Sequence, residues 1–199
     1  MTSTQFFDRI RADVIADMRR SGILASLTAA QAYIESGAGG SKLAQEPNNN
    51  LFGMKGNYNG QSVTFNTKEF VNGKYVTVKA VFRKYPSWAD SIKDHSDLFL
   101  RLDRYENLRG ESDYKAACIN VQKDGYATSP VYSETLIRTI ESFRLYEWDT
   151  DAVVIDEELD HATDIFADRV IKGLFGFGHD TRSLRIYEKI RQRVNEKLK

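Results

Sequence analysis

Glu35 stands at the end of the apolar run Leu27-Thr-Ala-Ala-Gln-Ala-Tyr-Ile34. Burial and the negative end of a helix dipole both disfavour a charged carboxylate there, so its pKa is expected above the usual range. A carboxylic acid still protonated near neutral pH can give its proton to the leaving oxygen of a glycosidic bond. Residue type alone also permits an ordinary surface glutamate near a helix end. Glu69 is the second carboxylate of interest, on the first strand of a hairpin whose two-residue turn, Asn72-Gly73, pairs it with Val76. Glycoside hydrolysis usually employs a second carboxylate, and its distance from the first decides whether it activates water or attacks the sugar. The alternative is an exposed strand glutamate that balances Lys68 or Lys74.

Other reactive residue types are sparse. His95, His161 and His179 are scattered, without metal-ligand spacing and without a serine or cysteine nucleophile motif beside them. No metal and no cofactor are expected. Cys118, next to Ala116 and Ala117, reads as a small core residue, and Trp88, in a run of helical apolar positions, reads as core rather than as a ligand platform.

The elements that must position the two carboxylates follow from periodicity. Apolar residues at Phe6, Phe7, Ile10, Val14, Ile15 and Met18 predict an amphipathic helix over 4–18. The stretch 25–36 predicts a helix buried nearly all round, stopped by Gly37, Gly39 and Gly40. A loop rich in asparagine and glycine precedes strands at 68–71 and 74–84. Helical spacing returns at 88–102, 114–123 and 132–143. Helices, one hairpin, then helices make an α+β fold. Gly60, Asn72 and Gly73 would allow a hairpin lobe to move.

The 199 residues, 41% hydrophobic and 28% charged, suit a globular domain of about 1–148 with a small appendage. An acidic linker is placed at 149–164, and two short helices around Gly173-Leu-Phe-Gly-Phe-Gly178 form a module at 165–199. Lysine plus arginine and aspartate plus glutamate each number 28, so no net field draws the chain to nucleic acid or to an anionic membrane. No segment reaches the ~20 apolar residues of a membrane span, and 1–20 lacks the apolar core of a secretory signal. The chain is expected to be made in the cytoplasm and to reach any outside substrate only after release.

A series of ordered motifs then narrows the reading. Ala29-Ala-Gln-Ala-Tyr-Ile-Glu-Ser-Gly37, Ser41-Lys-Leu-Ala44 and Asn49-Asn-Leu-Phe-Gly-Met-Lys-Gly56 are followed by Phe65-Asn-Thr-Lys-Glu-Phe-Val-Asn-Gly-Lys74, Phe82-Arg-Lys-Tyr-Pro-Ser-Trp88 and Gly125-Tyr-Ala-Thr-Ser-Pro-Val-Tyr132. Together, over about 4–148, they resemble glycoside hydrolase family 73, the flagellar and autolytic glucosaminidases. The resemblance implies a lysozyme-like fold and an endo-β-N-acetylglucosaminidase that cuts the glycan strand of peptidoglycan, with a muramidase or a non-catalytic glycan-binding virion protein as alternatives. It assigns Glu35 as general acid and Glu69 to the mobile β-lobe, where it activates water or yields to attack by the substrate's own 2-acetamido group. Tyr126 is placed near the cleaved sugar, though it also suits a core, and Tyr132 is among the substrate contacts. Asn49, Phe52 and Lys55 either line the groove or hold its loop together.

Two departures stand out: Gly37-Ala-Gly-Gly40 lacks the aromatic residue the family often carries there, and Pro47 stiffens the entry to the next loop. The segment Ala167-Asp-Arg-Val-Ile-Lys-Gly-Leu-Phe-Gly-Phe-Gly178 resembles a small wall-binding repeat of phage and bacterial lysins, shortened before Tyr187. That resemblance makes Arg169, Lys172, Gly173 and Arg182 candidates for binding a muropeptide, and the lack of a secretory signal makes the chain look like a phage or prophage endolysin. A solvated basic helix pair that packs on the domain or dimerises is the other reading.

Overall fold

The computed structural model describes residues 1–71 and 74–150. The chain divides into units Met1–Ala152 and Val153–Lys199. The 165–199 module with Arg169, Lys172, Gly173 and Arg182, most of the acidic linker, and the Asn72-Gly73 turn lie outside the described residues.

Helix α1 (Ser3–Ser21) opens with a capping box. Thr2 Oγ1 accepts from the Gln5 amide and Gln5 Oε1 accepts from the Thr2 amide, which satisfies two otherwise orphaned donors. Its buried face, Phe6, Phe7, Ile10, Val14, Ile15 and Met18, is the predicted one. Helix α2 (Ala25–Ser36) is buried from Ala25 through Ala32 because α1, α3, α4 and α5 pack against it from several sides. That central position explains the missing polar face.

The strands are β1 (Ser62–Val71) and β2 (Lys74–Arg83), paired antiparallel with Glu69 opposite Val76, as the two-residue turn predicts. β1 starts six residues before the expected Lys68, since Thr64 and Asn66 merely occupy one face of the alternation. Helices α3 (Trp88–Arg101), α4 (Tyr114–Lys123) and α5 (Tyr132–Ser142) follow, with a 3-10 helix at Asp103–Leu108 between α3 and α4 that periodicity did not indicate.

The N-terminus of α2 has no cap from its own flank. Leu24 occupies the cap position, and Asp149 closes it from the far end of the unit, accepting from Ser26 N at 2.9 Å and from Ser26 Oγ at 2.6 Å. At the other end, Ser36 Oγ accepts from the Gly39 amide at 2.7 Å and fixes the glycine turn. Gly39 has φ +72, and a Cβ there would lie 2.7 Å from Trp88 Cη2. Trp88 itself is buried, its Nε1 donating to the Ala44 carbonyl at 2.7 Å. Gly39→Ala is therefore expected to cost about 2 kcal/mol, from left-handed strain and the indole clash together, read as a lower urea midpoint.

Asn48, Asn49 and Asn50 form a buried polar clamp. Asn48 Nδ2 donates to Lys42 O, Asn49 Nδ2 to Tyr85 O and Pro86 O, and Asn50 Nδ2 to Met54 O and Arg83 O. Asn49 sits at φ +52, a left-handed conformation that asparagine tolerates. These bonds fasten the loop after α2 to the exit of β2.

Candidate active site

The last turn of α2 aims Glu35 into a cleft of about 720 Å³ that it shares with Phe52, Met54, Tyr105, Tyr126 and Tyr132. α5 begins at Tyr132, whose hydroxyl donates to Glu35 Oε1 at 3.0 Å. One turn before Glu35, Gln31 Nε2 donates to the Tyr132 oxygen at 3.2 Å. The Glu35 carboxyl opens to the cleft on one side and is enclosed by protein on the others. This burial raises its pKa above the usual carboxylate range, against the hydrogen bond from Tyr132, which favours the charged form. The elevation expected from the sequence is present, and its leading cause is burial.

Tyr126 stands beside this pair, its ring stacked with that of Tyr132 at 5.9 Å. Beneath it lies His95 of α3, fully buried, with Nε2 3.1 Å from the Tyr126 hydroxyl and its ring flat against Phe52 at 3.8 Å. Burial holds His95 at a pKa of about 3, so it stays neutral across the working range and serves as a fixed support. Phe99 closes the cluster, edge-on to His95. Arg104 brings a cation to the cleft wall.

Of the residues expected from the sequence, Glu35, Phe52, Tyr126 and Tyr132 line one cleft. Asn49 does not. Its amide is occupied by the Tyr85 and Pro86 carbonyls, and it faces a separate depression of about 520 Å³ with Pro47 and Tyr85. Lys55 is exposed and bridges Phe82 through its backbone. The backbone of Glu69 lies on β1. Sequence reasoning passed over His95 and Gln31. His95 falls on the buried face of α3 with Trp88, Ile92 and Phe99, and Gln31 is a polar residue inside an apolar helix, so each carried a signal.

Cys118 is fully buried with its thiol pushed up to about 12, which makes it an inert core residue. Among the described residues no group of histidine, cysteine, aspartate and glutamate side chains gathers to hold a metal ion, and no helix is long and apolar enough to cross a membrane.

The family model described as mannosyl-glycoprotein endo-beta-N-acetylglucosaminidase matches residues 11–145. Exo-glucosaminidase LytG of Bacillus subtilis is 42% identical over 132 residues, 64% of this chain and 46% of that protein. A probable N-acetylmuramidase of Lactococcus lactis subsp. lactis is 35% identical over 152 residues, 72% of this chain and 34% of that protein. The catalytic domain of the autolysin Auto from Listeria monocytogenes superposes with a TM-score of 0.70 at 32% identity, covering 74% of this chain and 87% of that one. This chain thus spans less than half the length of either relative.

Proposed function

Because the chain belongs to the glucosaminidase family, with its lysozyme-like, mostly helical fold and two-stranded sheet, we propose that it hydrolyses the glycan strand of bacterial peptidoglycan. The bond assigned is the β-1,4 link between N-acetylglucosamine and N-acetylmuramic acid, with Glu35 as general acid. The observation that carries this reading is one carboxyl of raised pKa, hydrogen-bonded by Tyr132, in the wall of an aromatic-lined cleft.

The chemistry follows from those groups. Glu35 passes its proton to the leaving oxygen as the C1–O bond breaks, and positive charge develops at the sugar ring. Water then adds at C1, activated by Glu69 or admitted after the 2-acetamido oxygen has attacked first. As Glu35 becomes a carboxylate, the bond from Tyr132 becomes charge-assisted and strengthens in step with the reaction. Tyr126 offers a ring face for a sugar.

Tyr132→Phe removes that donor and is expected to lower kcat about tenfold, the scale of one hydrogen bond to a charged group. Since the bond favours ionised Glu35, its loss raises the Glu35 pKa further. The loss of activity at alkaline pH then moves to higher pH, measured as a kcat profile.

The test is mass spectrometry of borohydride-reduced fragments after digestion of peptidoglycan, beside Glu35→Gln. Reduced N-acetylglucosamine ends from the unsubstituted protein alone support the glucosaminidase reading. Reduced muramic ends make it a muramidase, a reading favoured by the relative of that name. No new ends leave a glycan-binding module. On its resemblance to lysin repeats, the 165–199 segment is assigned to wall anchoring, in a phage-type lysin that acts after release.

A further inference from the structure

We propose that Gln31 is a positioning residue, one that directs the Tyr132 hydroxyl proton onto Glu35. The proposal rests on the assignment of Glu35 as general acid.

Tyr132 oxygen receives Gln31 Nε2–H at 3.2 Å, and its own proton goes to Glu35 Oε1 at 3.0 Å. A hydroxyl has a single proton, so what it meets on the other side decides where that proton points. With a donor behind it, the proton has to face the carboxylate. Were an acceptor presented instead, the proton would turn away and Glu35 would lose its partner. The amide orientation of Gln31 thus sets the direction of the whole chain.

Gln31 is a poor choice for stability where it stands. It is fully buried in the helix at the centre of the fold, and its Oε1 has no hydrogen-bond partner among the described residues. A buried carbonyl without a partner costs free energy that an apolar side chain of the same length would not. Gln31 and Glu35 are four residues apart on α2, on the same face one turn from each other. The spacing lets one helix supply both ends of the chain while α5 supplies the middle.

Glu35 has few other groups to tune it. The titratable and charged side chains that share its cleft are Arg104 and Tyr105 on the 3-10 helix, Tyr126 before α5, and Tyr132 on α5, with Cys118 of α4 behind Tyr132. Of these, Tyr132 alone is hydrogen-bonded to the carboxyl among the described residues. The state of its hydroxyl is therefore the local control on the acid.

Gln31→Met keeps length and volume, removes the donor and puts in its place a thioether sulfur, a weak acceptor toward which the Tyr132 proton can turn. The expected result is a several-fold fall in kcat with KM within twofold, an alkaline limb moved to higher pH, and a Tm unchanged or raised. In a Tyr132→Phe background the same substitution should leave both kcat and the limb where they are, because the group it acts through is gone. A lowered Tm marks Gln31 as a packing residue and overturns the proposal. So does an unchanged kcat and limb, or a shift that persists without Tyr132. The glucosaminidase reading is judged separately, from the ends released by the unsubstituted protein.

Discussion

Glu35→Gln is expected to reduce glycan cleavage about a thousandfold, within the range general acid catalysis supplies, while the protein stays folded. The amide matches the carboxyl in size and still accepts from Tyr132, but it has no proton to give to a leaving oxygen. A stability measurement separates this loss from damage to the fold. Burial raises the Glu35 pKa in the native state, so the associated stability is fully present below the unfolded pKa and is lost as pH rises through the folded one. Glutamine stays neutral at every pH and carries no cost of ionising in that surrounding, so the variant should melt no lower than the parent. Activity lost together with Tm would count against the acid role; activity lost with Tm kept, read from reducing-end release and thermal melts, supports it.

The second large effect is expected at Asp94. Its carboxylate, 7% exposed, accepts from the Arg83 guanidinium at the end of β2 and from the Tyr85 hydroxyl at 2.6 Å. These contacts root the hairpin on α3. Among the described residues the hairpin has little apolar burial to hold it, for Val76 and Val81 are 38% and 48% exposed and Phe82 at its base is buried. Asp94→Ala strands a partly buried guanidinium and a buried phenol at once, a defect that typically costs about 3 kcal/mol. Denaturant unfolding should show that loss. Glycan cleavage should fall as well, since β1 carries Glu69 and the hairpin's base is displaced.

What could be read from the sequence was whatever local spacing encodes. The limits of α2 and α4, the amphipathic face of α1 and the pairing of Glu69 with Val76 all depend on neighbours a few residues away. Glu35 was legible for the same reason, because the apolar run that buries it directly precedes it. Partnerships across the fold were not legible. Asn49 stands in the expected motif, yet its amide is committed to carbonyls 36 and 37 positions later, which no spacing reveals. The link from Gln31 to Tyr132 spans 101 positions, and the support of Tyr126 by His95 spans 31. Asp149 reads as the first residue of an acidic linker, although its carboxylate is occupied at the head of α2.

That last contact bears on how the chain comes off the ribosome. The helix that carries the acid has twelve residues, too few to hold together in water by propensity alone, and its missing cap is encoded 123 positions downstream. At ordinary translation speed the nascent polypeptide waits roughly ten seconds between Ser26 and Asp149. Over that interval the amide and hydroxyl of Ser26 at the head of the acid-bearing helix lack this carboxylate, and the cap can close only when the unit is almost wholly synthesised.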